Sequence, residues 1–446
     1  MLKKLSKFFV SLVQKFLPDP FIFAVILTFI VFFMGMFVAG ETPLQMVNHW
    51  GSGFWGLLEF AMQMSLVLVT GHVLANSEVF KKILRYLASI PNGPAQAIAW
   101  TTFIAAIACW INWGFGLVIG ALLAKEMARQ VEDVDYPLLI ASAYSGFIVW
   151  HAGLAGSIPL TVASEGNFTQ EMIGGLVPIS ETIFSPINLI LSVLIIATIP
   201  LINRFMLPDK KDRVIVDKAV LADDATTDKD NSVGVADQDT NYFADKIENS
   251  SLLSMLLGII GLIYIGYYFV NGGSLDLNIV IFIFLILGII FHKTPRRYLN
   301  AFNEAVKGAG GIILQFPLYA GIMGMMVDSG LATIISEWFV SFATEVTFPF
   351  FAFLSAGIVN FFVPSGGGQW AVQAPVMIPA GAELGVEASK TAMAVAWGDA
   401  WTNMIQPFWA LPALAIAGLG ARDIMGYCIV ILIWVGILAS LGFIIM

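Results

Sequence analysis

Asp399 is a lone carboxylate in an apolar stretch, between Trp397 and Trp401. An ionisable group inside a membrane span marks a function. This one could ligate Na⁺ or carry a proton. Asn403, close by, and Asn360 add neutral oxygens, and Ser145 and Ser157 do the same in an earlier stretch. These five residues are the candidates for holding a coupling cation, together with carbonyls freed where helices break. His151 could titrate in a proton pathway, or pack as a neutral ring beside Trp150. Two glycine-rich runs offer the complementary chemistry: Asn112-Trp113-Gly114-Phe115-Gly116 and Pro364-Ser365-Gly366-Gly367-Gly368-Gln369. Each reads as a turn that exposes backbone N–H groups and opens a new helix. A helix N-terminus favours an anion. Asn112, Gly114, Gly116, Ser365, Gly366, Gly367, Gly368 and Gln369 are therefore candidates for gripping a carboxylate without a buried arginine. For a single glycine, close helix packing is the competing account.

The elements carrying these residues occur twice. Ala143-Tyr144-Ser145-Gly146 leads through Trp150-His151 to Pro159-Leu160, and roughly 250 residues later Ala396-Trp397-Gly398-Asp399 leads through Asn403-Met404 to Pro412-Ala413. Gln63 to Ser77 is echoed by Gln315 to Ser329, and the Asn112 run falls opposite Asn360 and the Pro364 run. A duplicated apolar chain, interrupted by Gly and Asn at matching places, is the pattern of a secondary transporter.

Composition agrees. The 446 residues are 58% hydrophobic and 12% charged, with a mean hydropathy of +0.84, whereas a soluble domain carries about 25% charged residues. Phe21 to Val38, Ile183 to Ile199 and Ile424 to Met446 approach or reach the ~20 apolar residues of a spanning helix. The short alternating segments of an outer-membrane barrel are not seen. Much of the net charge of −9 lies in one polar stretch, and no basic stripe points to nucleic acid. Cys109 and Cys428, each alone in an apolar segment, form neither a disulfide framework nor a metal motif. No phosphate loop or paired His ligands occur, so an enzyme, a bound cofactor and ATP-driven pumping are not expected.

Positive charge orients the chain. Lys3, Lys4, Lys7 and Lys15 place the N-terminus in the cytoplasm, on an interfacial helix followed, after Pro18-Asp19-Pro20, by a retained first span. The loop from Glu41 to Gly56 lacks Lys and Arg and is outside; Lys81, Lys82 and Arg85 are inside; the Thr161 to Glu181 loop is outside; Lys210, Lys211 and Arg213 are inside. His292, Lys293, Arg296 and Arg297 mark the inside again. From there the second copy runs with the opposite sense, since Leu331 to Phe348 is uncharged by Lys or Arg and Arg422 is inside. The repeats are inverted and the C-terminus is periplasmic. Between Arg85 and Glu165 an odd number of crossings is needed. A re-entrant hairpin plus one span satisfies this, as do three full spans; clustered Gly and Pro favour the hairpin.

The expected architecture is thus an all-α polytopic membrane protein with about nine spans, two re-entrant hairpins and helices broken at the midplane. Residues 1–207 form the N-terminal repeat, with hairpin tip 112–116 and broken span 137–160. Residues 208–250 are a flexible cytoplasmic linker of low hydrophobicity, and 251–271 a connecting span. Residues 272–446 are the inverted repeat, with tip 364–369 and broken span 389–414. No Lys or Arg is expected in the middle of a span, and His49 and His292 are expected in loops. Trp113, Trp370, Trp397, Trp401 and Trp409 flank the breaks and could wall an acyl chain or sit at the interface.

Longer strings carry a resemblance. Leu17-Pro18-Asp19-Pro20, Gly53-Phe54-Trp55, Ile111 to Gly116, Val363 to Gly368, Gln406-Pro407-Phe408-Trp409-Ala410-Leu411-Pro412, Gly418-Leu419-Gly420 and Arg422 to Cys428 resemble the short-chain fatty acid transporter family of the AtoE type. The resemblance runs nearly end to end, apart from Pro208 to Asn249. It implies uptake of butyrate- or acetoacetate-like acids across a bacterial inner membrane, with H⁺ or Na⁺ as coupling ion. It also implies a wider group of inverted-repeat ion transporters that move as elevators, usually as homodimers. The family pattern has Gly where this chain has His151-Ala152, which sets His151 apart from a shared mechanism. The alternatives are a transporter of the same fold for another small carboxylate or an amino acid, and a small-anion channel.

Overall fold

The computed structural model describes residues 20–216, 221, 242–361, 363–406 and 408–445. The N-terminal lysines, Pro18-Asp19, most of the polar linker, Phe362, Pro407 and Met446 lie outside the described residues. All described elements are helices. The first copy runs α1 (Pro20–Phe37), α2 (Pro43–Gly53), α3 (Leu58–Ala75), α4 (Glu78–Ala88), α5 (Pro94–Ile111), α6 (Trp113–Gln130), α7 (Tyr136–Ser145), α8 (Ser157–Ala163) and α9 (Pro186–Phe205). A connecting helix α10 (Ser251–Val270) follows. The second copy runs α11 (Leu277–His292), α12 (Pro295–Val306), α13 (Gly310–Asp328), α14 (Leu331–Phe342), α15 (Phe348–Val359), α16 (Gly366–Glu383), α17 (Ala388–Thr402), α18 (Ala410–Ala417) and α19 (Ala421–Ile445). Thus α1 corresponds to α11, α2 to α12, and so on to α9 and α19. Gln170–Ile173 and Phe243–Glu248 are short helical turns outside this numbering. Among the described residues, 7 helical stretches are long and apolar enough to cross a membrane.

Local signals set the helix starts. Thr42 and Gln45 form a capping box ahead of Pro43 at the head of α2, and Asp135, Ser185, Asp276 and Thr294 cap α7, α9, α11 and α12 through side-chain oxygens. α10 exposes large apolar side chains on most of its surface and buries only Ser254, Gly258 and Gly261. Those small residues let α11 approach, Gly258 facing Ile290 and Gly261 facing Ile286.

The two copies pack crosswise. α13 lies on α1 and α2, and its counterpart α3 lies on α11 and α12. α6 meets α3 and α4, as α16 meets α13 and α14. α5 packs on α7 and α9, as α15 packs on α17 and α19. α8 meets α16 and α17, and α18 meets α6 and α7. One body is therefore built from α1–α3 with α11–α13, and another from α5–α9 with α15–α19. They touch where α6 crosses α3 and α16 crosses α13. The hairpins differ: α5 and α6 pack together along their lengths, whereas α15 leans on α17 and meets α16 far less.

Several expectations are corrected. Stretches read as loops from their charge contain helices: α2 within Glu41–Gly56, α4 with Lys81, Lys82 and Arg85, and α14 within 331–348. His49 lies in α2, and His292 is the last residue of α11, buried, with Nε2 2.8 Å from the Val73 carbonyl oxygen. Charge placement records only that lysines avoid lipid, which an interfacial helix satisfies as well as a loop. Lys125 is buried in α6, toward the C-terminal end of that helix. The start of the linker is docked rather than free. Lys210 Nζ lies 2.7 Å from the Asp133 carboxylate, and this hydrogen bond holds the Asp133 carboxyl below its usual range. Arg213 donates to the Asp133 carbonyl at 3.0 Å, and the Val214 N–H donates to Asp135 Oδ2 at 2.9 Å.

Candidate functional site

Both glycine-rich runs open helices, but they meet different surroundings. Asn112 is the single extended residue between α5 and α6, and its Oδ1 accepts the Phe115 N–H at 3.0 Å. Gly114 and Gly116 therefore belong to the first turn of α6, not to a loop. A Cβ at Gly114 would lie 2.9 Å from Leu68 Cα of α3, and one at Gly116 would strike Cys109 of α5. At this tip the glycines serve close helix packing. Ser365, not Asn360, is the structural counterpart of Asn112: its Oγ accepts the Gly368 N–H at 3.4 Å and caps α16. Here the three glycines lie against side chains. Added Cβ atoms would fall 2.6 Å from His151 Nε2 at Gly366, 2.5 Å from Phe60 Cζ at Gly367 and 2.5 Å from Tyr319 Cδ2 at Gly368. Phe60 also borders a cavity of about 200 Å³ lined by Glu59, Gln63, Thr161, Ser164 and Phe168.

The broken spans meet the second tip. After α7 the chain tightens into a 3-10 turn, Gly146–Ala152, and α8 begins at Ser157. After α17 ends at Thr402, Asn403 starts the second break. His151 Nδ1 lies 3.0 Å from the Ala396 carbonyl oxygen and 3.1 Å from Asp399 Oδ2, and both side chains are fully buried. His151 Nε2 accepts the Ile158 N–H at 3.3 Å. A ring nitrogen facing a donor carries no proton, so Nδ1 carries it and the imidazole is neutral. That one N–H is directed to the Ala396 carbonyl, and both Asp399 carboxylate oxygens are buried without a hydrogen-bond partner among the described residues. A buried carboxylate held so thinly is costly as an anion.

Trp150 Nε1 donates to Asn403 Oδ1 at 3.0 Å. These two residues occupy equivalent positions in the two copies, and a residue that touches its own counterpart lies on the axis relating them. The site thus sits on the pseudo-twofold axis. Around it, Tyr144 OH donates to the Asn403 carbonyl at 2.7 Å, and Trp150 stacks between Phe147 and His151. Trp113 lies 5.7 Å from Trp150 and 5.1 Å from Trp409 between ring centroids. The indole N–H groups of Trp113 and Trp409 and the Asn403 amide nitrogen are buried donors with no partner among the described residues. Donors without partners, packed aromatic rings and two helix breaks thus meet on one axis.

The other candidates lie around this cluster. Asn360 Nδ2 donates to the Asp399 carbonyl at 3.1 Å and to Thr402 Oγ1 at 2.9 Å, tying α15 to α17. Gln369 Nε2 donates to the Ala356 carbonyl at 2.8 Å and Gln373 Oε1 at 2.7 Å, turned toward α15. Ser145 Oγ donates to the Ser142 carbonyl and accepts from Asn203 Nδ2 at 2.7 Å, in a knot of α5, α7 and α9 apart from the cluster. Ser157 is buried at the head of α8. Trp401 stacks on Phe353 and donates to the Leu432 carbonyl, away from the axis, and Trp370 is buried within α16. Asn188 was not foreseen. It receives the Trp397 indole N–H at 3.0 Å and donates to the Ala152 carbonyl at 2.9 Å and the Ile183 carbonyl at 2.7 Å, tying the first break to α17. Its signal was present: one Asn in a run read as uniformly apolar, Ile183 to Ile199.

The family profile described as "Short chain fatty acid transporter" matches residues 1–446. The chain belongs to that family. It is 45% identical over 443 residues, 99% of both chains, to a protein of Escherichia coli (strain K12) provisionally named a short-chain fatty acid transporter. It is 44% identical over 449 residues, again 99% of both, to a protein of Haemophilus influenzae with the same name. A solved structure, the YdaH transporter of Alcanivorax borkumensis, described as having an unusual topology, superposes with a TM-score of 0.63 at 15% identity. It covers 96% of this chain and 97% of its own, and shares the fold. The protein is accordingly a multi-pass membrane transporter rather than an enzyme.

Proposed function

We propose that this transporter takes up short-chain fatty acids of the butyrate and acetoacetate kind by symport with a cation, H⁺ or Na⁺, across a bacterial inner membrane. The observation that carries the reading is the meeting of the α16 N-terminus with the His151–Asp399 pair and the partnerless donors of Trp113, Trp409 and Asn403. The first turn of α16, at Gly366 and Gly367, offers N–H groups and a positive helix end to the carboxylate. Trp113, Trp150 and Trp409 receive the acyl chain. A carboxylate beside Asp399 needs a cation with it, because an unpaired charge in this setting is expensive. The movement is of the elevator type, in a homodimer: the body carrying both tips slides past the body built on α3 and α13. The N-terminus is cytoplasmic and the C-terminus periplasmic.

The test is uptake of labelled butyrate into proteoliposomes, against protein-free vesicles, under an imposed Na⁺ or pH gradient. The assay runs at pH 8, where roughly one carboxylic acid in several thousand is undissociated and leakage through lipid is small. Accumulation above the external level is expected. Equilibration without accumulation would make the protein a channel. Stronger competition by dicarboxylates or amino acids than by acetate, propionate and acetoacetate would change the substrate.

A further inference from the structure

The outer side of α5 and α9 carries a groove of about 440 Å³ that the transport reading leaves unused. Ile196, Pro200 and Arg204 line it from α9 at every fourth residue, so they share one face of that helix. This row runs roughly 12 Å at 1.5 Å per residue. Trp100 and Phe103 line it from α5, their rings stacked at 5.9 Å between centroids. Ile190, Val193, Leu201 and Phe205 of α9 are each more than half exposed, as on a helix that faces lipid. Arg204 is the exception in this apolar setting. It lies in the last turn of α9, and its side chain makes no hydrogen bond or ion pair among the described residues. Its neighbour fixes its depth. Asn203 donates to Thr102 Oγ1 at 2.9 Å, and Thr102 stands ten residues before Asn112, roughly 15 Å along α5. The Asn112 tip adjoins the axis through Trp113 and Trp150, and the axis of inverted repeats lies in the membrane plane. Half the hydrocarbon core is ~15 Å thick, so Arg204 stands where lipid phosphates begin. Gln96 adds a second donor to the groove. Its Oε1 accepts the Asn92 N–H at 2.9 Å, which leaves its amide N–H groups for a ligand.

We propose that this groove binds an anionic phospholipid, its phosphate on Arg204 and Gln96 and one acyl chain along Trp100, Phe103 and Ile196. By the orientation proposed above, the lipid belongs to the cytoplasmic leaflet. A guanidinium holds phosphate through paired N–H groups, and basic pockets between spanning helices take anionic head groups in this way. Free phosphate would leave the apolar walls bare, and a four-carbon acid would leave most of the groove empty. A phospholipid matches both the charge and the walls. The second copy has no such site, since the last turn of α19 carries no basic residue. The consequence falls on the body that carries both tips. Asn203, beside Arg204, also donates to Ser145 Oγ at 2.7 Å and so ties α9 to α5 and α7. A lipid seated across α5 and α9 braces that junction. The inference requires no particular substrate.

The experiment uses the full-length protein in detergent, with phosphatidylglycerol or phosphatidylcholine of the same acyl chains added back. Native mass spectrometry is expected to show phosphatidylglycerol retained in preference, and phosphatidylglycerol should raise the melting temperature more than phosphatidylcholine does. Equal retention and equal protection by the two lipids overturn the proposal. Arg204→Gln should weaken phosphatidylglycerol binding by about tenfold, the loss of one charged hydrogen bond, and Arg204→Lys should lose less. Ala197 is an exposed residue of the groove wall. Ala197→Trp should abolish the preference although Arg204 remains; a preference kept in full there places the lipid elsewhere and overturns the proposal. The same variant decides should Arg204→Gln fail to fold. Lys82, exposed on α4, serves as a control. Lys82→Gln should leave binding unchanged, and a loss as large as that in Arg204→Gln would reduce the effect to overall surface charge and overturn the site. Protection by inorganic phosphate equal to that by phosphatidylglycerol would make the ligand a free anion and overturn the lipid.

Discussion

At Gly366 one hydrogen atom separates α16 from the imidazole of His151. A methyl group there must push His151 off Asp399 or lift the helix. Overpacking of this kind costs about 1–3 kcal/mol. Gly366→Ala is therefore expected to slow butyrate uptake by about tenfold or more, given ~1.4 kcal/mol per decade. Gly51→Ala, at a position with nothing within 4 Å of the added carbon, should leave uptake and thermal stability in detergent unchanged. Equal loss in both variants would show that the tip is not a special position. Asn188 makes a second residue-scale case. Asn188→Leu leaves the Trp397 N–H and the Ala152 carbonyl without this partner, at about 1–3 kcal/mol per orphaned buried group. A melting temperature equal to wild type would contradict that tie.

Among the elements, α7 shows how one carboxylate can organise three parts of the chain. Asp135 caps α7 through the Leu138 N–H at 2.9 Å, holds the Val214 N–H at 2.9 Å and receives the Tyr427 hydroxyl of α19 at 3.4 Å. Asp135→Ala should cost at least the ~1 kcal/mol of a lost cap, and Asp135→Asn less, because its amide oxygen still accepts from Leu138; the order of melting temperatures reads this directly. Elements were also where the sequence was most and least legible. Asn112 and Ser365 each precede a glycine-rich helix start, so both breaks could be read from residue type alone. Asp399 stood out because charge is rare in lipid. His151 could not be joined to it, since no spacing rule links residues that meet across two repeats. Gly114 looked equivalent to Gly367 on paper, yet one faces backbone and the other aromatic rings, a distinction set by the partner helix. The same limit hid α2 and α4, the first read as a loop for lacking Lys and Arg and the second for carrying them.

For the whole molecule, the division into two bodies carries a mechanical expectation. Phe60 of α3 abuts Gly367 of α16 across the boundary. Cysteines at both positions, with Cys109 and Cys428 replaced, remove the ring that the new side chain at 367 would strike. Bridging them with mercuric ion should stop uptake, and a thiol should restore it; undiminished uptake in the bridged protein would rule out sliding at this boundary. Inverted repeats make a second demand. Ser52→Cys and Gly272→Cys should react with an impermeant maleimide from outside intact cells, and Lys82→Cys only after lysis. Lysis-independent labelling at residue 82 would overturn the orientation.

The bond from Trp150 to Asn403 joins equivalent places on the axis, but it runs one way, donor to acceptor. Two identical halves could not make it, because an indole N–H facing its own image finds no acceptor. Once the halves diverged there, the two end states of the carrier ceased to be mirror forms of equal free energy. A resting preference for one side of the membrane is then built into the covalent chain, before any gradient acts. The fraction of Phe60→Cys protected from an impermeant maleimide in gradient-free vesicles would measure that preference, and an even split would show that the divergence has no such effect.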